Sequence, residues 1–91
     1  MPFETINVGF GNSVVAHRVV AVTGADSSPL KRLMDGAERE HRLIDATSGR
    51  RTRSIIITDS NHVILSHVSP ERIAQKLKVG DLKEGADEQG D

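Results

Sequence analysis

The residues with the most pronounced chemistry stand together at Gly49-Arg50-Arg51-Thr52-Arg53. Three guanidiniums fall within four positions and no carboxylate stands among them. Arginine keeps its charge at any physiological pH, and its planar fork of donors matches phosphate oxygens and the edge of guanine. Thr47, Ser48 and Thr52 add hydroxyls able to donate to phosphate. Gly49 lets the backbone turn tightly or approach a ligand closely. This is the chemistry of nucleic-acid contact. On residue types alone a second reading stands beside it: a solvated basic turn whose charges pair with Asp45 or Asp59. Arg18 is a further candidate. It sits in the valine-rich stretch Arg18-Val19-Val20, so its charge must face outward or be paired, and an interface salt bridge would satisfy it equally. Lys31 and Arg32 open a helix, where cations oppose the macrodipole; binding and a solvated face both fit them.

Other chemistries find no matching constellation. His17, His41, His62 and His67 show no metal-ligand spacing, and the chain has no cysteine, so neither a metal nor a cofactor is expected. Gly9-Phe10-Gly11 lacks the third glycine and the following helix of a nucleotide fingerprint; a hairpin turn accounts for it. No nucleophile elbow, phosphate-binding loop or acid pair is visible, and no enzymatic activity or small-molecule substrate is expected. No stretch approaches the roughly 18 apolar residues of a membrane span. The start, Met1-Pro2-Phe3-Glu4-Thr5, lacks the basic and apolar regions of a secretory leader. With no cysteine to bridge, the reading expects a soluble cytoplasmic protein.

The elements that must position these residues follow from pattern. Thr5–Phe10 alternates, with Ile6, Val8 and Phe10 on one face, and Gly11-Asn12 supplies a turn. Ser13–Thr23 is rich in valine and reads as further strand, giving an N-terminal hairpin. Ser28 as N-cap and Pro29 at the first position start an amphipathic helix, with Leu30, Leu33, Met34, Ala37 and His41 on its apolar side. Leu43–Ala46 fits a short strand and 47–51 a loop. Arg53–Thr58, turn 59–61 and His62–Val68 form a second hairpin. Ile55, Ile56 and Ile57 in a row put apolar groups on both faces of that strand. Helices can cover one face; the other needs cover too, and a partner subunit is a natural source of it. Ser69-Pro70-Glu71 opens a short last helix that Gly80 ends. The fold class expected is α+β: a small, mostly antiparallel sheet with hairpins at both ends of the sequence, a central amphipathic helix and a short C-terminal helix.

Charge divides the chain. Residues 1–79 carry eleven Lys and Arg against eight Asp and Glu, a net +3, and residues 80–91 carry one Lys against five acids, a net −4. The expected organisation is one basic domain, 1–79, and an acidic, disordered tail, 80–91. A domain of this size buries only about 60% of its unfolded surface, so assembly would help to stabilise it.

Several segments resemble the RemA-like bacterial regulators, once known only as a domain of unknown function. They are Ile6–Asn12, Ser28–Arg32, the basic loop Ile44–Arg53 and the hairpin Ile55–Ser66, in order across about residues 4–75. The resemblance implies a transcriptional regulator that binds double-stranded DNA and activates genes for extracellular matrix and biofilm. It also implies a ring-shaped homo-oligomer that presents repeated arginine loops to DNA along its rim. Arg50 and Arg51 match the family's DNA-binding arginines, and Arg18 falls among the DNA-binding residues too; Arg53, Lys31 and Arg32 are further candidates. The acidic tail, His17 and His67 depart from the family pattern. Two other classes remain open. Single-strand or RNA binding usually stacks bases on aromatic rings, and this chain has only Phe3 and Phe10. An oligomeric structural or protein-interaction module without nucleic-acid binding would show no salt-dependent DNA shift.

Overall fold

The structure is a computed structural model, and it describes residues 4–26 and 28–81. Strands β1 (Thr5–Gly9) and β2 (Asn12–Val15) form an antiparallel hairpin. A single 3-10 turn, Ala16–Arg18, leads into β3 (Val19–Gly24), which belongs to a different sheet. Then come α1 (Ser28–Arg39), β4 (Leu43–Asp45), β5 (Ser54–Thr58), β6 (Val63–Ser66) and α2 (Pro70–Asp81). The larger sheet has the order β3-β5-β6-β4, antiparallel except for the parallel pair β4–β6. The architecture is α+β, with hairpins near both ends of the sequence, as the pattern predicts.

Strand β5 organises the core because its side chains alternate. Ile56, buried, packs with Ile6, Val8 and Val14 of the first hairpin, with Ile64, and with Ile73 of α2. Ile55, equally buried, packs with Ala37 of α1 and with Val63 and Leu65 of β6. Each fully buried isoleucine of this kind contributes roughly 1.5–3 kcal/mol of transfer free energy. The source of cover expected for the second face of the Ile55–Ile57 strand, a partner subunit, is therefore corrected. The first hairpin and α2 cover one face, α1 covers the other, and both come from the same chain.

Other differences have local causes. The stretch 13–23 is not one strand, because the 3-10 turn at 16–18 carries the chain from the hairpin to the main sheet. Helix α1 stops at Arg39. His41 is exposed and left-handed at φ 60, and Arg42 N–H closes back on Ala37 O at 2.7 Å, so His41 ends the helix instead of extending its apolar side. Helix α2 has 12 residues, as many as α1, and runs through Gly80 to Asp81. Its start follows the expected cap: Ser69 Oγ accepts from Arg72 N–H at 3.3 Å. Of the tail expected at 80–91, residues 80 and 81 belong to α2 and residues 82–91 lie outside the described ones.

Candidate functional site

The sheet register brings the candidate residues to one end. Gly24 of β3 and Ser66 of β6 both pair with Ser54, the first residue of β5. The loop 46–53, the β3–α1 connection and the start of α2 therefore meet there, and both helices begin there. Lys31 and Arg32, exposed in the first turns of α1, stand at this end, as do Arg50, Arg51 and Arg53. Helix N-termini carry partial positive charge, so their field adds to that of the cations.

The loop is built from its first residues. Asp45 Oδ1 accepts from Thr47 N–H at 2.9 Å and from the Thr47 hydroxyl at 2.6 Å. Arg50 N–H then bonds Thr47 O at 3.0 Å, with Ser48 (φ 53) and Gly49 (φ 82) left-handed between them. Arg53 N–H returns to the sheet on Ser66 O at 2.8 Å. Thr47 is thus buried and committed to Asp45, which corrects its reading as a phosphate donor; Ser48 is exposed and Thr52 half-buried. The Thr47 hydroxyl, and then its N–H, hold the Asp45 carboxyl below the ordinary value of 3.8, against a small opposing effect of burial.

A folded value below the unfolded one means that this stabilisation is complete above pH 3.8 and is lost as pH falls through the folded value. Removing the two hydrogen bonds with Asp45→Ala is expected to cost about 1–2 kcal/mol at pH 7. The difference from the parent narrows as the carboxyl protonates. Urea unfolding at pH 7 and in steps below pH 4 measures both; a gap that stayed constant with pH would refute the account.

The two acids that the sequence offers the loop as partners are engaged elsewhere. Asp45 holds Thr47, and Asp59 Oδ1 receives Arg18 Nε at 2.7 Å. No carboxylate among the described residues forms an ion pair with Arg50, Arg51 or Arg53. Arg51 and Arg53 line a shallow groove with Asp26, Thr52, Ser69 and Pro70, at the start of α2. Arg50 lies over the ring of Phe10, its Cζ 5.5 Å from the centroid.

Arg18 stands apart. It precedes β3, whose Val19 pairs with Thr58 at the far end of β5, about 17 Å of strand from the arginine loop. It is exposed and tied within the chain to Asp59, so a single subunit does not bring it beside Arg50 and Arg51.

Sequence reasoning missed Phe10 and His67. Phe10 is not on the apolar face of β1. The strand ends at Gly9, and residues 9, 10 and 11 have φ of 110, 55 and 78, so the ring stands half exposed on the turn. His67 packs against it, centroids 4.7 Å apart. The pair of glycines flanking Phe10 was the signal that its backbone is unusual. Among the described residues no His, Asp and Glu group could hold a metal ion, and no helix is long and apolar enough to cross a membrane.

The comparisons agree with the resemblance. A 75-residue segment is 63% identical to a protein of Thermotoga petrophila, covering 82% of each chain. A 73-residue segment is 63% identical to a protein of Nitratidesulfovibrio vulgaris, covering 80% of this chain and 83% of the relative. A 77-residue segment is 54% identical to a protein of Syntrophobacter fumaroxidans, covering 85% and 82%. All three carry the name "Putative regulatory protein". The family model of extracellular matrix regulatory protein A-like proteins matches residues 5–77, and the chain belongs to this RemA-like family of regulators.

Proposed function

We propose that this protein is a transcriptional regulator that binds double-stranded DNA through the Arg50–Arg53 loop, as a closed homo-oligomer, at genes governing extracellular matrix and biofilm. The observation that carries the reading is the set of arginines without an ion-pair partner among the described carboxylates, collected with two helix N-termini at one end of the sheet. One subunit offers few positive groups, so its own affinity for DNA is weak. Repetition of the loop in an assembly raises the affinity, because neighbours of a bound loop act at high effective concentration.

Assembly has its own support. Val20 and Ile44 are exposed, at 66% and 47%, and stand on β3 and β4, the two opposite edge strands. Two different patches meeting head to tail form a heterologous contact, which closes into a ring where the rotation allows. The same patches favour a second reading, an oligomeric interaction module without DNA.

Titration of labelled duplex DNA at 50 and 200 mM salt, beside sedimentation of the free chain, tests the proposal. Binding that weakens steeply with salt, on a particle several times 9.9 kDa, is the expected result. A stable monomer at micromolar concentration overturns the assembly, and salt-independent or absent binding favours the interaction module.

The acidic end of the chain supplies a further prediction. Residues 82–91 hold one Lys against four Asp and Glu. Their deletion is expected to strengthen DNA binding several-fold at low salt and to leave the assembly intact, since like charge repels phosphate over about a Debye length. Unchanged affinity at low salt would place the tail away from the DNA path.

A further inference from the structure

We infer that Phe10 is a positioning residue for Arg50: its ring holds the guanidinium at the surface in the attitude in which it meets DNA. The inference rests on the DNA reading above and names a residue that reading does not require.

Phe10 has φ 55, in the left-handed region that L side chains rarely adopt, between Gly9 and Gly11, whose φ values are also positive. The sequence places a large aromatic group at a position where glycine or asparagine would sit without strain. The residue is 49% exposed, so burial in the core does not explain the choice. What the ring does is bridge two distant segments. On one side it meets His67, centroids 4.7 Å apart and planes tilted by 41°. On the other, Arg50 Cζ lies over it at 5.5 Å, inside the roughly 6 Å reach of a cation–π contact.

His67 is itself held in place. A Cβ at Gly9 would lie 2.5 Å from His67 Cε1, so the imidazole occupies space that only glycine leaves. The order of support runs from Gly9 to His67, to Phe10, to Arg50. A long arginine on an exposed loop normally loses rotamer freedom when it binds. One already laid over a ring loses less, and its in-plane N–H donors stay available for phosphate or base edges.

Three variants test this: Phe10→Leu, which keeps apolar bulk and removes the π face; Phe10→Tyr, which restores it; and Phe10→Leu combined with Arg50→Ala. Two measurements are made on the full-length oligomer. The first is the chemical shift of the Arg50 Nε–Hε group, which the ring current displaces. The second is duplex affinity at low salt, where Arg51 and Arg53 are expected to keep the Arg50→Ala protein bound. The expected result is an Arg50 signal that moves toward its solvent-exposed position in Phe10→Leu and returns in Phe10→Tyr. Affinity falls about two- to fivefold for each engaged loop. In the Arg50→Ala background the same change at Phe10 has almost no effect.

A Phe10→Leu protein with an unmoved Arg50 signal overturns the inference. So does an affinity loss that persists in full without Arg50, which would make Phe10 a direct DNA contact. If the parent binds no duplex, the DNA reading fails by itself, and the Arg50 shift still decides whether Phe10 holds the side chain.

Discussion

Changing Arg50 and Arg51 together to Ala is expected to abolish DNA binding and to leave both the fold and the assembly unchanged. Neither residue forms an ion pair with a described carboxylate, and both are exposed. The loop keeps its shape through bonds that involve neither side chain: Asp45 to Thr47, Arg50 N–H to Thr47 O and Arg53 N–H to Ser66 O. Among the described residues the one interaction lost is Arg50 over Phe10, worth about 0.5–1 kcal/mol at an exposed site. The loss for DNA is far larger. Each phosphate contact removed flattens the slope of log affinity against log salt by about 0.9, and the change repeats in every subunit that touches DNA. Sizing of the double variant beside titrations at two salt concentrations checks both halves. An intact oligomer that binds DNA with the parental slope would show that other residues carry the contact. Arg18→Ala makes a useful contrast: it breaks the ion pair to Asp59 at the opposite end of β5 and tests whether Arg18 reaches DNA at all.

Gly9→Ala is expected to be the most destabilising small substitution in the first hairpin, by roughly 2–4 kcal/mol, out of a total of about 5–15 kcal/mol for a domain. Two costs combine. At φ 110 an L residue is strained, at roughly 1–3 kcal/mol. The new methyl would also lie 2.5 and 2.7 Å from His67 Cε1 and Nδ1, and overpacking of this kind costs about 1–3 kcal/mol. The imidazole also packs on the Phe10 ring, centroids 4.7 Å apart, so a retreat from the new methyl disturbs that contact. The two costs separate in a double variant. His67→Ala removes the collision and leaves the backbone strain, so Gly9→Ala is expected to cost about half as much in that background. Urea unfolding of the four proteins measures the coupling. Additive losses would mean that His67 does not press on Gly9.

The sequence determined the elements and their chemistry, because both are local. Strand alternation, the Ser69-Pro70 cap, the turn at 59–61 and the run of three isoleucines follow from neighbouring residues, and most observed boundaries lie within a residue or two of those expected. The cluster Arg50, Arg51 and Arg53 was visible for the same reason, being contiguous. The resemblance carried the family. Tertiary structure decided what depends on residues far apart in the chain. It paired β4 with β6 in parallel and folded the first hairpin and α2 over Ile56, so that both faces of the isoleucine strand are covered within the chain. It sent Asp59 to Arg18 and Asp45 to Thr47, which left the arginine loop without an ion-pair partner among the described carboxylates; the sequence offered both acids as partners and could not choose between them. It put Arg18 and the arginine loop at opposite ends of β5. Finally, it brought Gly9, Phe10, Arg50 and His67 together across as many as 58 positions of sequence. Periodicity reports only which face a residue occupies on its own element, whereas a contact between elements depends on register and on a backbone angle such as φ 55 at Phe10, and these are set when the whole chain packs.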